Sequence, residues 1–116
     1  MSKAMEKDDG VYLGHMLDTT RKIMLKAGGL TRVQYENDEN LQMVFAHLVQ
    51  VLGEAASHVS PARREQLSEI PWKRIIGMRH RIVHDYMNVD LEILWEVVHR
   101  NVPELADALA KIVPSE

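Results

Sequence analysis

Residues 71–95 read PWKRIIGMRHRIVHDYMNVDLEILW. Laid on a helix, Trp72, Ile75, Ile76, Ile82, Val83 and Tyr86 fall on one stripe. That periodicity predicts a core-facing helix, opened by Pro71 at its first turn and ending near residues 86–88. Arg79 falls in the middle of the stripe, where an apolar residue belongs. A buried guanidinium without a partner is strongly unfavourable, so Arg79 requires an anion. On the residues alone two readings stand. One is an internal ion pair with Glu54; the other is a site awaiting a phosphate, which arginine binds through two parallel hydrogen bonds.

Outward from this helix, the rest of the chain also reads as helix. Period-2 runs are missing and there is a single Phe, so strands are not expected. A first helix is expected over about Asp9 to Ala27, with Leu13, Met16, Leu17, Ile23, Met24 and Ala27 as its apolar stripe and Gly28-Gly29 as its stop. Thr31 and Asp38 are candidate caps in the polar stretch that follows. A second long helix is expected over Glu39 to Val59, its face formed by Leu41, Val44, Phe45, Leu48, Val51, Leu52, Ala55 and Val59. Ser60-Pro61 starts a short helix, PARREQL. The last helix runs from about Leu91 to Val113 after a cap at Asn88 or Asp90. Pro103 removes its bond to the carbonyl of His99 and predicts a kink.

Four longer helices plus a short one make an all-α antiparallel bundle, one domain over 1–116 with residues 1–8 as a flexible lead. Met43, Val49 and Ala56 lie off the main face of the second long helix. They predict a second buried surface and hence a homodimer. Trp72 and Trp95 are read as core or interface residues. The polar line His47, Glu54, His58 is either a solvated edge or the border of a cleft.

Composition narrows the function. The 116 residues are 46% hydrophobic and 27% charged, enough for one core and against wholesale disorder. There is no cysteine, which removes disulfides, thiolate metal sites and thiol nucleophiles and fits a reducing cytoplasm. The opening MSKAMEKDDG has no apolar segment of the secretory kind. No apolar run approaches the roughly 18 residues of a membrane span. The net charge of −3 argues against a generally basic nucleic-acid binder. Yet Arg63, Arg64, Lys73, Arg74, Arg79 and Arg81 cluster before a run of acids from Asp85 to Asp107. Such a local basic surface can meet a polyanion, or be a solvated helix face.

His80 and His84 are spaced i, i+4, a spacing able to hold a metal on a helix. No third ligand in a known pattern accompanies them, so no metal is expected. A histidine also suits general acid–base work because it titrates near neutral pH. Metal-free RNA cleavage requires a base for the 2′-hydroxyl, an acid for the leaving 5′-oxygen and a cation for the charge on phosphorus. Arg79 and His84 are candidates, and two chains on a two-fold axis supply each group twice. On an ideal helix, however, residues five apart diverge by about 140°. They converge only if the helix loosens near His84 or a second chain completes the site.

At these residues the chain resembles a known family. MRHRIVHDY at 78–86 is similar to the R-x4-H-x-Y motif of HepT proteins in the HEPN superfamily. LGEAA at 52–56, IPWKRIIGMRHRIVH at 70–84, VDLEILWEVV at 89–98 and VPEL at 102–105 resemble the family's segments in the same order, and the likeness runs from about Val11 to Ile112. It implies a dimeric HEPN helical bundle acting as a metal-independent, cofactor-free RNase toxin. The system implied is a type VII bacterial toxin–antitoxin pair, with RNA as substrate and transfer RNA among the candidate targets. The implied antitoxin is an MntA-type nucleotidyltransferase that neutralises the toxin by adding AMP to Tyr86. By the same resemblance Arg79 binds the scissile phosphate and His84 is the acid or base. His80, Asp85 and Glu54 play supporting parts. Position 85 is commonly Gly in the family and position 80 commonly Asn or Asp. These departures keep a second reading open: a non-catalytic HEPN nucleotide-binding module that partners a nucleotidyltransferase.

Overall fold

The structure, a computed structural model, describes residues 2–85 and 88–114; side chains are described except at 2–7, 79, 83–85 and 88. Helix α1 spans Ser2–Ala27, starting before the expected Asp9. It ends at Gly28-Gly29, where Gly29 has φ 76°, a left-handed conformation that only glycine takes without strain. Leu13, Met16, Leu17 and Ile23 are buried as expected, whereas Met24 stays 38% exposed. Thr19 and Thr20 take buried positions beside them. Each hydroxyl donates to a carbonyl of the preceding turn, of His15 (2.7 Å) and Leu17 (2.6 Å), so neither is buried unsatisfied.

Both candidate caps in the polar stretch are used. Thr31 caps α2 (Arg32–Glu36) through a reciprocal box with Gln34, and Asp38 caps α3 (Glu39–His58) by accepting from the Leu41 amide. The buried face of α3 is rotated from the expected one. Phe45, Ala46, Val49, Leu52, Ala55 and Ala56 are buried, while Val44 and Val51 remain nearly 40% exposed. Val49 and Ala56, read from sequence as a surface for a second chain, therefore belong to this chain's own core. The reason is that α3 is packed by both α1 and α5, so it buries more than one stripe.

Ser60 caps α4 (Pro61–Gln66) and is itself held by Asp9 of α1. The Ser60 amide and hydroxyl donate to the two Asp9 oxygens at 2.8 and 2.7 Å, so this buried carboxylate is satisfied.

Helix α5 (Trp72–Ile82) ends four residues short of the earliest expected stop, Tyr86, which lies outside the described residues. Its buried line is Trp72, Ile75, Met78 and Ile82. The helix then gives way to a small antiparallel pair, β1 (Val83–Asp85) and β2 (Asn88–Val89), which the sequence pattern did not announce. The Asp90 amide closes this corner by donating to the Ile82 carbonyl at 2.6 Å, and the Asp90 carboxylate caps α6 (Leu91–Glu96).

Near Pro103, where a kink was expected, the helix carries a π turn, Val97–Asn101, before α7 (Val102–Ala110). The Val102 amide reaches back five residues to the Val97 carbonyl. One residue is thus accommodated in excess, and Pro103 opens the next helix where it has no amide to contribute. The result is the expected all-α bundle, with α1, α3, α5 and α7 around one core.

Candidate active site

Arg79, near the end of α5, and His84, in β1, lie on either side of the corner where the helix gives way to the strand. Arg79 is on the last complete turn of α5, one residue after the buried Met78. Met78 fills a core position on that turn. The buried line of α5 also takes in Met78, which the sequence stripe left out. His80 and Arg81 are exposed.

His84 lies on the other side of the helix end. In the β1–β2 pair Val83 faces Val89 and Asp85 faces Asn88. His84 is therefore the extra residue of a β-bulge, a device that changes the course of a strand and re-aims it. The divergence of about 140° held only for a continuous helix; with α5 ending at Ile82 it no longer separates positions 79 and 84. The i, i+4 pairing of His80 with His84 disappears for the same reason, since the two now belong to different elements. Among the described residues no group of three His, Asp or Glu side chains is arranged to hold a metal ion.

Glu54 comes from α3, one residue after Gly53, and is exposed. Its carboxylate is 3.2 Å from Nε2 of His58 one turn on. Together with His47, these residues line an open groove of about 470 Å³. The polar line of α3 is thus solvated and borders a groove at once. Sequence reading missed the opposite wall, supplied by Tyr12 and His15 of α1. The Tyr12 ring stacks on His58 with centroids 4.8 Å apart, and His15 meets its edge at 6.0 Å. The i, i+3 spacing of Tyr12 and His15 on the polar side of α1 was the available signal.

A second cluster fixes the element that follows β2. The Tyr35 hydroxyl is buried and donates to the Leu91 carbonyl at 2.8 Å, a last-turn anchor between α2 and the start of α6. Burial pushes its pKa up to about 12. Arg32 pairs with Glu36 and with Glu92 and lies 5.5 Å over the Trp95 ring. Trp95 stacks in turn on His99 of the π turn, and Nδ1 of His99 is 3.0 Å from the Trp95 carbonyl. These contacts hold α6 in place just after the motif corner. Trp72 is buried, as expected, its indole N–H donating to the Leu67 carbonyl at 3.0 Å.

The all-α bundle is consistent with the architecture of a HEPN-type protein. Residues 16–112 match the family described as Ribonuclease HepT-like, and the chain belongs to that family. Its class is therefore that of an endoribonuclease of the HEPN type. A candidate RNase of Caldanaerobacter subterraneus subsp. tengcongensis is 30% identical over 105 residues, spanning 90% of this chain and 94% of that one. A Methanocaldococcus jannaschii protein named as a gamma-glutamylcyclotransferase and candidate RNase is 31% identical over 109 residues, which are 94% of this chain and 49% of the relative. A probable ribonuclease HepT of Thermococcus cleftensis is 28% identical over 75 residues, 65% of this chain and 68% of the relative. No solved structure gives a significant match. Among the described residues no helix is long and apolar enough to cross a membrane.

Proposed function

We propose that this ribonuclease is the toxin of a type VII, HepT/MntA-like bacterial toxin–antitoxin pair, acting without metal in the cytoplasm. One observation carries the catalytic reading: α5 stops at Ile82 and His84 sits at a bulge, so Arg79 and His84 flank a corner instead of diverging along one helix. His84 takes the proton of the 2′-hydroxyl. The 2′-oxygen attacks phosphorus and the bond to the 5′-oxygen breaks, leaving a cyclic phosphate and a protonated 5′-hydroxyl. Arg79 holds the phosphate and offsets the charge that grows on its oxygens. His84 of a second copy protonates the leaving oxygen, and the homodimer supplies both roles. Exposed Met43, Val44 and Val51 on α3 are apolar surface available to that second copy.

His80 and Asp85 lie within the motif as supporting residues, and Glu54 supports it from α3. A carboxylate at position 85 stabilises the protonated form of a neighbouring imidazole, which suits the acid step. Regulation falls on Tyr86, whose hydroxyl attacks the α-phosphorus of ATP held by the nucleotidyltransferase and releases pyrophosphate. The AMP adds negative charge and bulk beside the motif and repels RNA. Transfer RNA is the substrate class to test first.

The test is cleavage of RNA by purified protein with EDTA present. Activity is expected to disappear in His84→Ala and in Arg79→Ala. Undiminished cleavage in either variant would refute the assignment. Asp85, which stands where the family commonly has Gly, favours one other reading, a nucleotide-binding partner of the nucleotidyltransferase without RNase activity. Nucleotide binding with no cleavage from about pH 5 to 8 is its signature.

A further inference from the structure

The basic stretch 61–81 resolves into cations with different duties. Arg63 donates to Gln66 at 2.9 Å and Arg64 to the Val59 carbonyl at 2.9 Å, so both are tied to the fold. Lys73, Arg74 and Arg81 are exposed and make no hydrogen bond or ion pair among the described residues. Arg74 and Arg81 are seven residues apart on α5, two turns, which places them on one face about 10 Å apart. That face opens on a hollow of about 290 Å³ shared with Arg100, Glu96 and Glu104. Glu96 is paired with Arg100 at 3.2 Å. On the other side of Arg74 a second hollow is lined by Lys73 and Arg64 against Glu65. Arg74 links the two hollows, and cations outnumber carboxylates in each.

We propose that this edge of α5, centred on Arg74 and Arg81, is a phosphate track for single-stranded RNA outside the cleavage point. The inference rests on the ribonuclease reading and names the path of its substrate. Arg81 lies inside the R-x4-H motif and Arg74 two turns before it, so a strand bound by both runs along the helix that carries Arg79. Unpaired guanidinium groups are the chemistry that recognises phosphodiesters, and contacts to phosphate alone carry no base preference. This locates a positive path on a chain whose net charge is −3.

The experiment measures binding of a single-stranded oligouridylate to the His84→Ala protein as a function of salt, so cleavage plays no part. Each lost phosphate contact lowers the slope of log K against log salt by about 0.7 on a single strand. Arg74→Ala with Arg81→Ala is expected to lower it by about 1.4, and Arg74→Lys with Arg81→Lys to restore most of it. Lys26→Ala with Lys111→Ala, which removes the same charge elsewhere, is expected to leave the slope within about 0.3 of the parent. An unchanged slope in the arginine variant, or an equal fall in the lysine control, overturns the track. Absence of RNA cleavage by the wild-type chain would instead overturn the ribonuclease reading, and the two failures are read from different measurements.

Discussion

Gly53 of α3 lies directly against the backbone of α5: a Cβ placed on it would stand 3.2 Å from the carbonyl oxygen of Ile75. This close approach explains a glycine in the middle of a buried helix face, where its entropy is otherwise unfavourable. It also sets the distance between the helix that carries Glu54 and the helix that carries Arg79. Gly53→Val pushes two branched methyl groups into a backbone that cannot rotate away. The expected loss is about 2 kcal/mol in urea unfolding, with a larger proportional fall in RNA cleavage because α5 is displaced. A stable, fully active valine variant would show that the approach is not needed.

Asp9 and Ser60 join α1 to the cap of α4 by two hydrogen bonds, and Ser60 Oγ also accepts from the Arg63 amide. Asp9→Ala leaves the half-buried Ser60 donors to find water, and about 2 kcal/mol is expected to be lost. Ser60→Ala removes the cap as well. Because both variants break the same contacts, the double variant is expected to be destabilised by less than the sum of the two. Denaturant titration of the four proteins checks this, and strict additivity would deny the coupling.

Tyr35 makes alkaline stability measurable at one residue. Its folded pKa is raised to about 12 from an ordinary value of 10.0. Between those values the unfolded chain gives up the proton while the folded chain keeps it, so folding stability falls as pH rises, by up to about 1.4 kcal/mol per pH unit from this group. Below pH 10 the contribution is complete. Tyr35→Phe loses the bond to the Leu91 carbonyl and is expected to be about 1 kcal/mol less stable at pH 8. It does not undergo the alkaline loss, so the two stability curves are expected to approach each other above pH 10. Parallel curves to pH 12 would contradict the buried hydroxyl.

How far this site could be read from sequence depends on which contacts decided each element. The caps at Thr31, Asp38, Ser60 and Asp90 are local chemistry, and all four were visible in the chain. The rotated face of α3 was not, because Val49 and Ala56 are buried by α1 and α5 together and a single-stripe reading assigns the second side to a partner. The stop of α5 at Ile82 was missed because the apolar period continues through Val83 and Tyr86; the pairing of Val83 with Val89 is a tertiary contact that overrides it. The motif itself was legible only as an ordered set of segments, since an arginine and a histidine five apart carry little information alone. Tyr86 lies outside the described residues, and its role stays with the sequence motif.

The regulatory proposal turns on that tyrosine and separates cleanly from catalysis. Tyr86→Phe keeps the ring and removes the hydroxyl proposed to accept AMP. Co-expressed with the nucleotidyltransferase, the wild-type chain is expected to carry added AMP by intact-mass measurement and to permit growth. The phenylalanine variant is expected to show no added mass and to arrest growth despite the antitoxin. Tyr86→Phe combined with His84→Ala is expected to permit growth again, because loss of a general acid or base lowers turnover by about 10²- to 10⁴-fold. Added AMP on the phenylalanine variant would move the acceptor to another residue. Growth of that variant under the antitoxin, with no added mass, would show neutralisation by binding alone.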